Sequence, residues 1–260
     1  MKPESKTSYS IQVLQRTLKI LDGFLEFQKP LSLEEISQFA GLPKSTAFRI
    51  IANLVKANYL TEQDNGYWLG LKMLRFGAAV EGSLDLKQRA LPYLLELRDL
   101  YNETVHFAVL ENNSRVVYLD KLSSQQAVAV MASRIGNSAP VYCTGVGKAL
   151  AAFLPEAQRS YVVESQQFQQ FTANTITTKA AFVEELKITR LRGYAIDDEE
   201  HEKGVRCIAA PIFNHLKEVT AAISISVPAE RMPTPIVDSA MSKKVMLIAA
   251  QISTELGYLP

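Results

Sequence analysis

The chain has 260 residues, 47% of them hydrophobic, and a net charge of +1 from 28 Lys/Arg against 27 Asp/Glu. That is too long for one typical domain and comfortable for two. No run approaches the roughly 18–20 apolar residues of a membrane span, and the first residues lack the apolar core of a secretion signal. The expected setting is therefore the cytoplasm, where Cys143 and Cys207 are not expected to form a structural disulfide.

Charge is unevenly spread. Residues 1–75 hold ten Lys/Arg against seven Asp/Glu, or +3, and the remainder holds eighteen against twenty, or −2. The direction suits an N-terminal nucleic-acid module, but the pattern of residues has to carry the case.

Val13, Leu14, Leu18, Ile20, Leu21, Phe24, Leu25 and Phe27 recur at helical spacing and predict a first helix of about four turns, stopped by Lys29-Pro30. Ser32 with Glu35 three residues on is a capping-box signature for a second helix. Gly41 supplies a turn, and Leu42-Pro43-Lys44-Ser45-Thr46 opens a third helix with Ala47, Ile50, Ile51, Leu54 and Val55 on its apolar side. Short helix, glycine turn and second helix form a helix-turn-helix signature. Lys44, Ser45 and Thr46 bring side chains and open backbone N–H groups to the start of the third helix, suited to phosphates and base edges. Arg49, one turn on, suits bidentate contact with guanine.

Asn65-Gly66 is hairpin-turn chemistry between two short strands, which reads as a wing. Tyr67 on the wing is a candidate phosphate contact. Arg16, from the first helix, completes the candidate DNA-binding set, although Arg16 and Lys19 read more ordinarily as solvated surface charges. Trp68 reads as a core or interface anchor. A helix-glycine-helix alone is common in unrelated folds, and it is the Lys-Ser-Thr start followed by the Asn-Gly hairpin that favours DNA.

Residues 71–80 are apolar at helical spacing, with small Gly77, Ala78 and Ala79 permitting close helix approach. This segment is expected to link two domains and to pack on a partner chain; the alternative is a helix packed on its own domain. Another helix follows over about 86–102. Strands are then expected at 105–110 and 116–119, joined by the turn residues 111–114, and a third at 126–132. Residues 136–140 read as a loop.

In Cys143-Thr144-Gly145-Val146-Gly147-Lys148-Ala149, a threonine and glycines precede a helical run, and helix N-termini attract anions. The Gly-Lys pair is no phosphate loop. The glycine five before Gly147 is missing, and Ala149 stands where the metal-binding hydroxyl belongs. Helices near 158–164 and 179–191, the acidic run 197–202, strands at 205–213 and 219–227, and a last helix over about 234–256 complete an α+β pattern. Ser224 and Ser226 share one face of their strand and Ile223 and Ile225 the other. The serine face is either solvent-exposed or the lining of a polar pocket. Cys207 and Ala209 share a face of the neighbouring strand.

Together these residues resemble the IclR family of bacterial regulators over nearly the whole chain. The resemblance rests on residues 10–21, on Leu42-Pro43-Lys44-Ser45-Thr46-Ala47-Phe48-Arg49, on Cys143 to Ala149, on Asp197-Asp198-Glu199-Glu200 before residues 204–213, and on residues 221–228. It implies an N-terminal arm (1–10), a winged helix-turn-helix (11–70), a linker helix (71–84) and a GAF-like effector domain (85–260). It implies a regulator, expected to repress, that binds a double-stranded operator as a homodimer or dimer of dimers. Its effector would be a small carboxylate, keto acid or aromatic acid. By position, the effector shell would be the backbone of Gly145 and Val146, with Asp197, Cys207, Ser224 and Ser226. No cofactor, metal or catalytic residue is implied.

Two departures stand out. Gly136-Asn137-Ser138 lacks an arginine common in the family, leaving no evident cation near the proposed pocket, and the hairpin 214–218 lacks the usual glycine. The competing reading is an enzyme using Cys143 or Cys207 with His106, His201 or His215, but these show no metal-ligand spacing. The acidic run 197–202 reads as a solvated loop rather than a metal site. A purely structural DNA-binding protein would not need a second, larger domain with a serine face.

Overall fold

The computed structural model describes residues 11–82, 85–112, 114–123, 133–233, 235–237 and 239–259. The chain divides into two compact units, Met1–Leu84 and Asp85–Pro260. The expected N-terminal arm, Ser83 and the strand expected at 126–132 lie outside the described residues.

The first unit contains α1 (Gln12–Phe27), α2 (Leu33–Ala40), α3 (Lys44–Lys56), the hairpin β1 (Leu60–Gln63) and β2 (Gly66–Leu69), and α4 (Leu71–Gly82). The capping box at α2 is present. Ser32 Oγ accepts from the Glu35 N–H at 3.2 Å, and the Ser32 N–H donates to Glu35 Oε2 at 2.8 Å. The Lys29 ammonium and these bonds hold the Glu35 carboxyl down at about 2. Gly41 closes α2 in the left-handed region, at φ 66°. Ile20, Phe24, Leu31, Ile36, Ala47, Ile51 and Leu60 form the core. Trp68 packs edge-on to Phe24 at 6.1 Å, which gives it the anchoring role expected of it.

The wing is tied back to the body, because Tyr67 and Leu31 exchange two backbone hydrogen bonds of 2.9 and 3.0 Å. Gly66, at φ 130°, has the Leu31 carbonyl oxygen 2.4 Å from where a Cβ would stand, so no other residue fits there.

The second unit contains α5 (Asp85–Tyr101), β3 (Thr104–Glu111), β4 (Arg115–Leu122), β5 (Ser138–Pro140), α6 (Gly145–Phe153), α7 (Glu156–Ser165), α8 (Lys179–Arg192), β6 (Ala195–Asp198), β7 (Val205–Phe213), β8 (Val219–Pro228) and α9 (Ala240–Glu255). The six strands form one antiparallel sheet in the order β5-β4-β3-β8-β7-β6. One face carries Val105, Phe107, Ile208, Ile223 and Ile225 and packs with Ala90, Leu94 and Leu97 of α5 and Val245, Ile248 and Ile252 of α9. The other face carries Ala108, Tyr118, Ala195, Ala209 and Ala222 and packs with Val146, Ala149 and Leu150 of α6 and Phe182 and Leu186 of α8. The α+β architecture is as expected.

Three boundaries differ from expectation. Residues 138–140 pair with β4 as an edge strand rather than forming only a loop. Residues 195–198 pair with β7, so three strands rather than two close that side, and Asp197 lies within the sheet. The last helix starts at Ala240, where the Ser239 side chain accepts from the Ser242 N–H. The glycine missing from the 214–218 turn is replaced in two ways. Lys217 takes a positive φ of 61°, and Asn214 Oδ1 accepts from the N–H groups of Leu216 and Glu218 at 2.9 and 3.1 Å.

Candidate functional site

In the first unit, α3 begins without a side-chain cap. The N–H groups of Thr46 and Ala47 donate to Pro43 O, while those of Lys44 and Ser45 have no partner among the described residues. Lys44 and Ser45 are exposed, and Thr46 is half-buried. Lys44 sits 3.1 Å from Glu34 in an exposed ion pair, a weak contact that an incoming phosphate would readily replace. Arg49 is exposed and lines, with Arg16, Thr46, Asn53 and Tyr59, a groove of about 460 Å³ beside α1 and α3. The structure thus brings Arg16, Thr46 and Arg49 together. Tyr67 lies apart, half-buried against the Leu31 cluster.

In the second unit, strand register decides which side chains meet. Asp197 is opposite Cys207, Cys207 opposite Ser226, and Ser226 opposite Thr104. The next row on the same face is Ala195, Ala209, Ser224, His106 and Lys121. Directly opposed residues share a face. This face lies under α6, and Ser224 and Ser226 are only 3% and 2% exposed, so it is not a solvent face.

The groups on it are linked. Ser226 Oγ lies 3.1 Å from Cys207 Sγ and 3.2 Å from His106 Nδ1, and His106 Nε2 lies 2.8 Å from Ser133 Oγ. Tyr118 packs its ring against His106 at 5.2 Å. Tyr118 stands opposite Ala108 in the hairpin register that runs from Glu111 and Arg115, and the register shift between Phe107 and Ala108 then brings Lys121 opposite His106.

The N-terminus of α6 points into the same region. A Cβ on Gly145 would stand 3.3 Å from Ala209 Cβ, 3.4 Å from Cys207 Cβ and 3.8 Å from Asp197 Cβ. The Thr144 side chain accepts from the Gly147 N–H and the Thr144 carbonyl from the Lys148 N–H. The N–H groups of Gly145 and Val146 have no partner among the described residues, so they remain as donors at a helix N-terminus. The six residues expected to form the effector shell therefore converge.

Behind the shell lies a buried ion network. The fully buried Lys148 ammonium pairs with Glu200 and lies 3.6 Å from Glu185, which also faces Arg192 at 3.4 Å. The Glu200 N–H donates to Asp197 Oδ1 at 2.8 Å, and Glu200 Oε2 is buried without a partner among the described residues. Burial, then the neighbouring Glu200 charge, pushes the Asp197 carboxyl up to about 7. Burial, with Lys121 adding to it, pushes His106 down to about 3, so its imidazole is neutral. Burial also raises the Cys207 thiol well above its ordinary range, and that of Cys143 with it. A thiol held protonated beside a neutral imidazole is a hydrogen-bonding group, not a nucleophile.

His106, Thr104, Tyr118 and Lys121 were not in the expected shell. Thr104, His106 and Ala108 alternate with Val105 and Phe107, the same alternation that singled out Ser224 and Ser226, and that signal was available in the sequence. Tyr118 depends on the register of the β3-β4 hairpin and Lys121 on the shift in it, and neither was.

A winged helix-turn-helix followed by an α+β unit with a polar, buried sheet face is the layout of a one-component transcription factor. Comparison with known proteins agrees. Residues 13–64 match the IclR helix-turn-helix domain, and residues 78–254 match the bacterial transcriptional regulator IclR C-terminal domain. The chain is 39% identical over 224 residues to the HTH-type transcriptional regulator XynR of Escherichia coli K12, covering 85% of this chain and 88% of that one. It is 32% identical over 251 residues to the transcriptional repressor IclR of the same organism, covering 95% and 90%. The crystal structure of an IclR homolog complexed with 4-hydroxybenzoate, from Microbacterium hydrocarbonoxydans, superposes with a TM-score of 0.77 at 27% identity, covering 94% and 99%. The chain belongs to the IclR family of transcriptional regulators, with a DNA-binding helix-turn-helix and an effector-binding C-terminal domain. The enzyme alternative is not supported, since these relatives are named as regulators. Among the described residues no helix is long and apolar enough to cross a membrane.

Proposed function

We propose that this protein represses transcription by binding its operator through α3, and that a small organic acid bound on the β6-β7-β8-β3 face controls that binding. The observation that carries the reading is the convergence of Asp197, Cys207, Ser224 and Ser226 beneath the open N–H groups of Gly145 and Val146. Buried hydroxyls and a helix N-terminus suit the oxygens of a keto, hydroxy or carboxylic acid. The 4-hydroxybenzoate held by the Microbacterium relative belongs to this class.

On the DNA side, Lys44, Ser45, Thr46 and Arg49 serve as the reading and phosphate-binding set, with Arg16 and Tyr67 at its margins. The protein acts as a homodimer or dimer of dimers. Ile11, Leu14, Leu18 and Leu25 follow an a/d spacing along α1 and are 51–66% exposed, and Leu71 and Leu74 of α4 are 83% and 71% exposed. Such stripes favour burial against another copy. Residues 71–84 link the two units along the chain, and differential effector affinity for two dimer arrangements shifts the population.

The test is operator binding by the pure protein on DNA upstream of its own gene, at two salt concentrations, with and without a panel of keto, hydroxy and aromatic acids. Specific, salt-sensitive binding altered by one acid supports both halves. Absence of specific binding removes the DNA reading, and indifference to every acid removes the effector class.

A further inference from the structure

We propose that Tyr118 sets the specificity of the effector site by donating its phenolic hydroxyl to an oxygen at the end of the ligand remote from the carboxylate, a role that rests on the sheet-face site described above. Tyr118 belongs to β4 and Asp197 to β6, and α6 packs on both of these strands and on the three between them. The register partner of Tyr118 is Ala108, whose own partner on β8 is Ala222, so nothing bulky separates the ring from the middle of the face. The ring packs there on His106, with centroids 5.2 Å apart, and His106 meets Ser226, which meets Cys207. Tyr118 thus stands at the β4 end of the effector shell.

Its hydroxyl is open. Tyr118 is only 8% exposed, yet the hydroxyl has no hydrogen-bond partner among the described residues. Nor is it sealed in, because the sealed side-chain atoms without a partner among those residues are Glu200 Oε2 and Gln251 Oε1. A hydroxyl that is neither paired nor sealed, on a side chain otherwise packed, borders a space that a ligand oxygen or a water can enter. The hydroxyl of Ser224, which stands opposite His106 on β8, is in the same condition. Two open hydroxyls therefore flank His106, one from β4 and one from β8.

Electrostatics set the direction of the ligand. The two cations near the face are engaged: Lys148 pairs with Glu200 and Glu185, and Lys121 donates to Ser133 O and feels the Glu202 charge. The carboxylate therefore belongs at the N-terminus of α6, on the open N–H groups of Gly145 and Val146 beside Cys207. The β4 end holds neutral groups. Burial keeps His106 uncharged, and burial, with the charges of Cys207 and Asp197 behind it, raises the Tyr118 phenol far above its ordinary range, so it stays a donor. Neutral donors suit a hydroxyl or keto oxygen, and a second carboxylate buried there would lack a counter-charge. The ligand class is a monocarboxylic acid with a hydroxyl or keto oxygen at its far end.

The test is calorimetric titration of the full-length protein with two pairs of acids, 4-hydroxybenzoate against benzoate and levulinate against pentanoate. Each pair differs only in the remote oxygen. The variants are Tyr118→Phe, which removes one oxygen and keeps the ring on His106, and Ser224→Ala/Ser226→Ala. The wild type is expected to bind the oxygenated member of at least one pair about tenfold more tightly. Tyr118→Phe is expected to lose that margin and to bind the plain acid as the wild type does. A margin that survives in Tyr118→Phe, or that the wild type lacks, overturns the role of Tyr118; if the serine variant then loses binding, the site itself stands. An equal loss for both members of a pair makes Tyr118 a packing residue and also overturns the proposal. Unchanged binding in the serine variant, or no binding of any of the four acids by the wild type, removes the site reading and the proposal with it.

Discussion

The Ser226 hydroxyl lies 3.2 Å from His106 Nδ1, joining two buried groups 120 residues apart in the chain at the centre of the polar sheet face. Ser226 is also 3.1 Å from Cys207 Sγ, so its proton position and the His106 tautomer are set together. That coupling holds only while the imidazole is neutral. Burial holds His106 at about 3. Its ring proton resonances are therefore expected to stay constant from pH 5 to 8 in NMR spectra, and a midpoint near 6.5 would contradict the hydrogen-bond chain.

Asp197 gives stability a distinctive pH dependence. Its carboxyl is raised to about 7 in the folded chain from an ordinary 3.8. The native state therefore keeps a proton that the unfolded state releases between those values. Stability falls as pH rises through that window, and the loss is complete above it. His106 works in the opposite sense, because stability falls as pH drops from 6.5 toward 3. Asp197→Asn removes only the first slope, so its stability relative to wild type should increase between pH 4 and 7. Urea unfolding at pH 4, 5.5 and 7 measures this, and a constant difference would count against the raised carboxyl.

Lys148 stands fully buried between Glu200 and Glu185. Removing one partner of a buried pair leaves an uncompensated charge and costs about 3–5 kcal/mol. Lys148→Met is expected to lose that much by chemical denaturation, with Glu200→Gln on top recovering part of it. A loss under about 1 kcal/mol would show that the network does not hold α6 in place.

Arg49 is exposed on α3, with Thr46 one turn before it on the same groove. If it reads a base, Arg49→Ala should cost about 1–3 kcal/mol of specific binding and flatten the preference for operator over scrambled DNA. Lys44→Ala should instead weaken both DNAs alike and lower the salt slope by about one. Anisotropy titrations at several salt concentrations separate these effects. An unchanged sequence preference in the arginine variant removes Arg49 as a reader.

Much of this was legible in the sequence because the signals are local. The Ser32–Glu35 box, Gly41 and Asn65-Gly66 act within a few residues, and the Ser224/Ser226 alternation needs only the period of a strand. The wing shows where local reading stops. Asn65-Gly66 marks the turn, but the pairing of Tyr67 with Leu31, which makes glycine obligatory at 66, joins residues 36 apart. The same holds at the sheet face. Placing His106 and Lys121 beside Ser224 requires the strand order β4-β3-β8 and the register shift after Phe107, neither of which is written in any one segment. Strand β6 was missed because Asp197-Asp198-Glu199-Glu200 has turn composition, yet Asp197 is 4% exposed and held by the Glu200 N–H.

The most direct test of the central claim is an effector titration of operator-bound protein, comparing wild type with Ser224→Ala/Ser226→Ala. The account predicts that the double variant binds operator as the wild type does and no longer responds to the acid that alters wild-type binding. A variant that responds at the same acid concentration as wild type would contradict the claim that the β6-β7-β8-β3 face is where the effector binds.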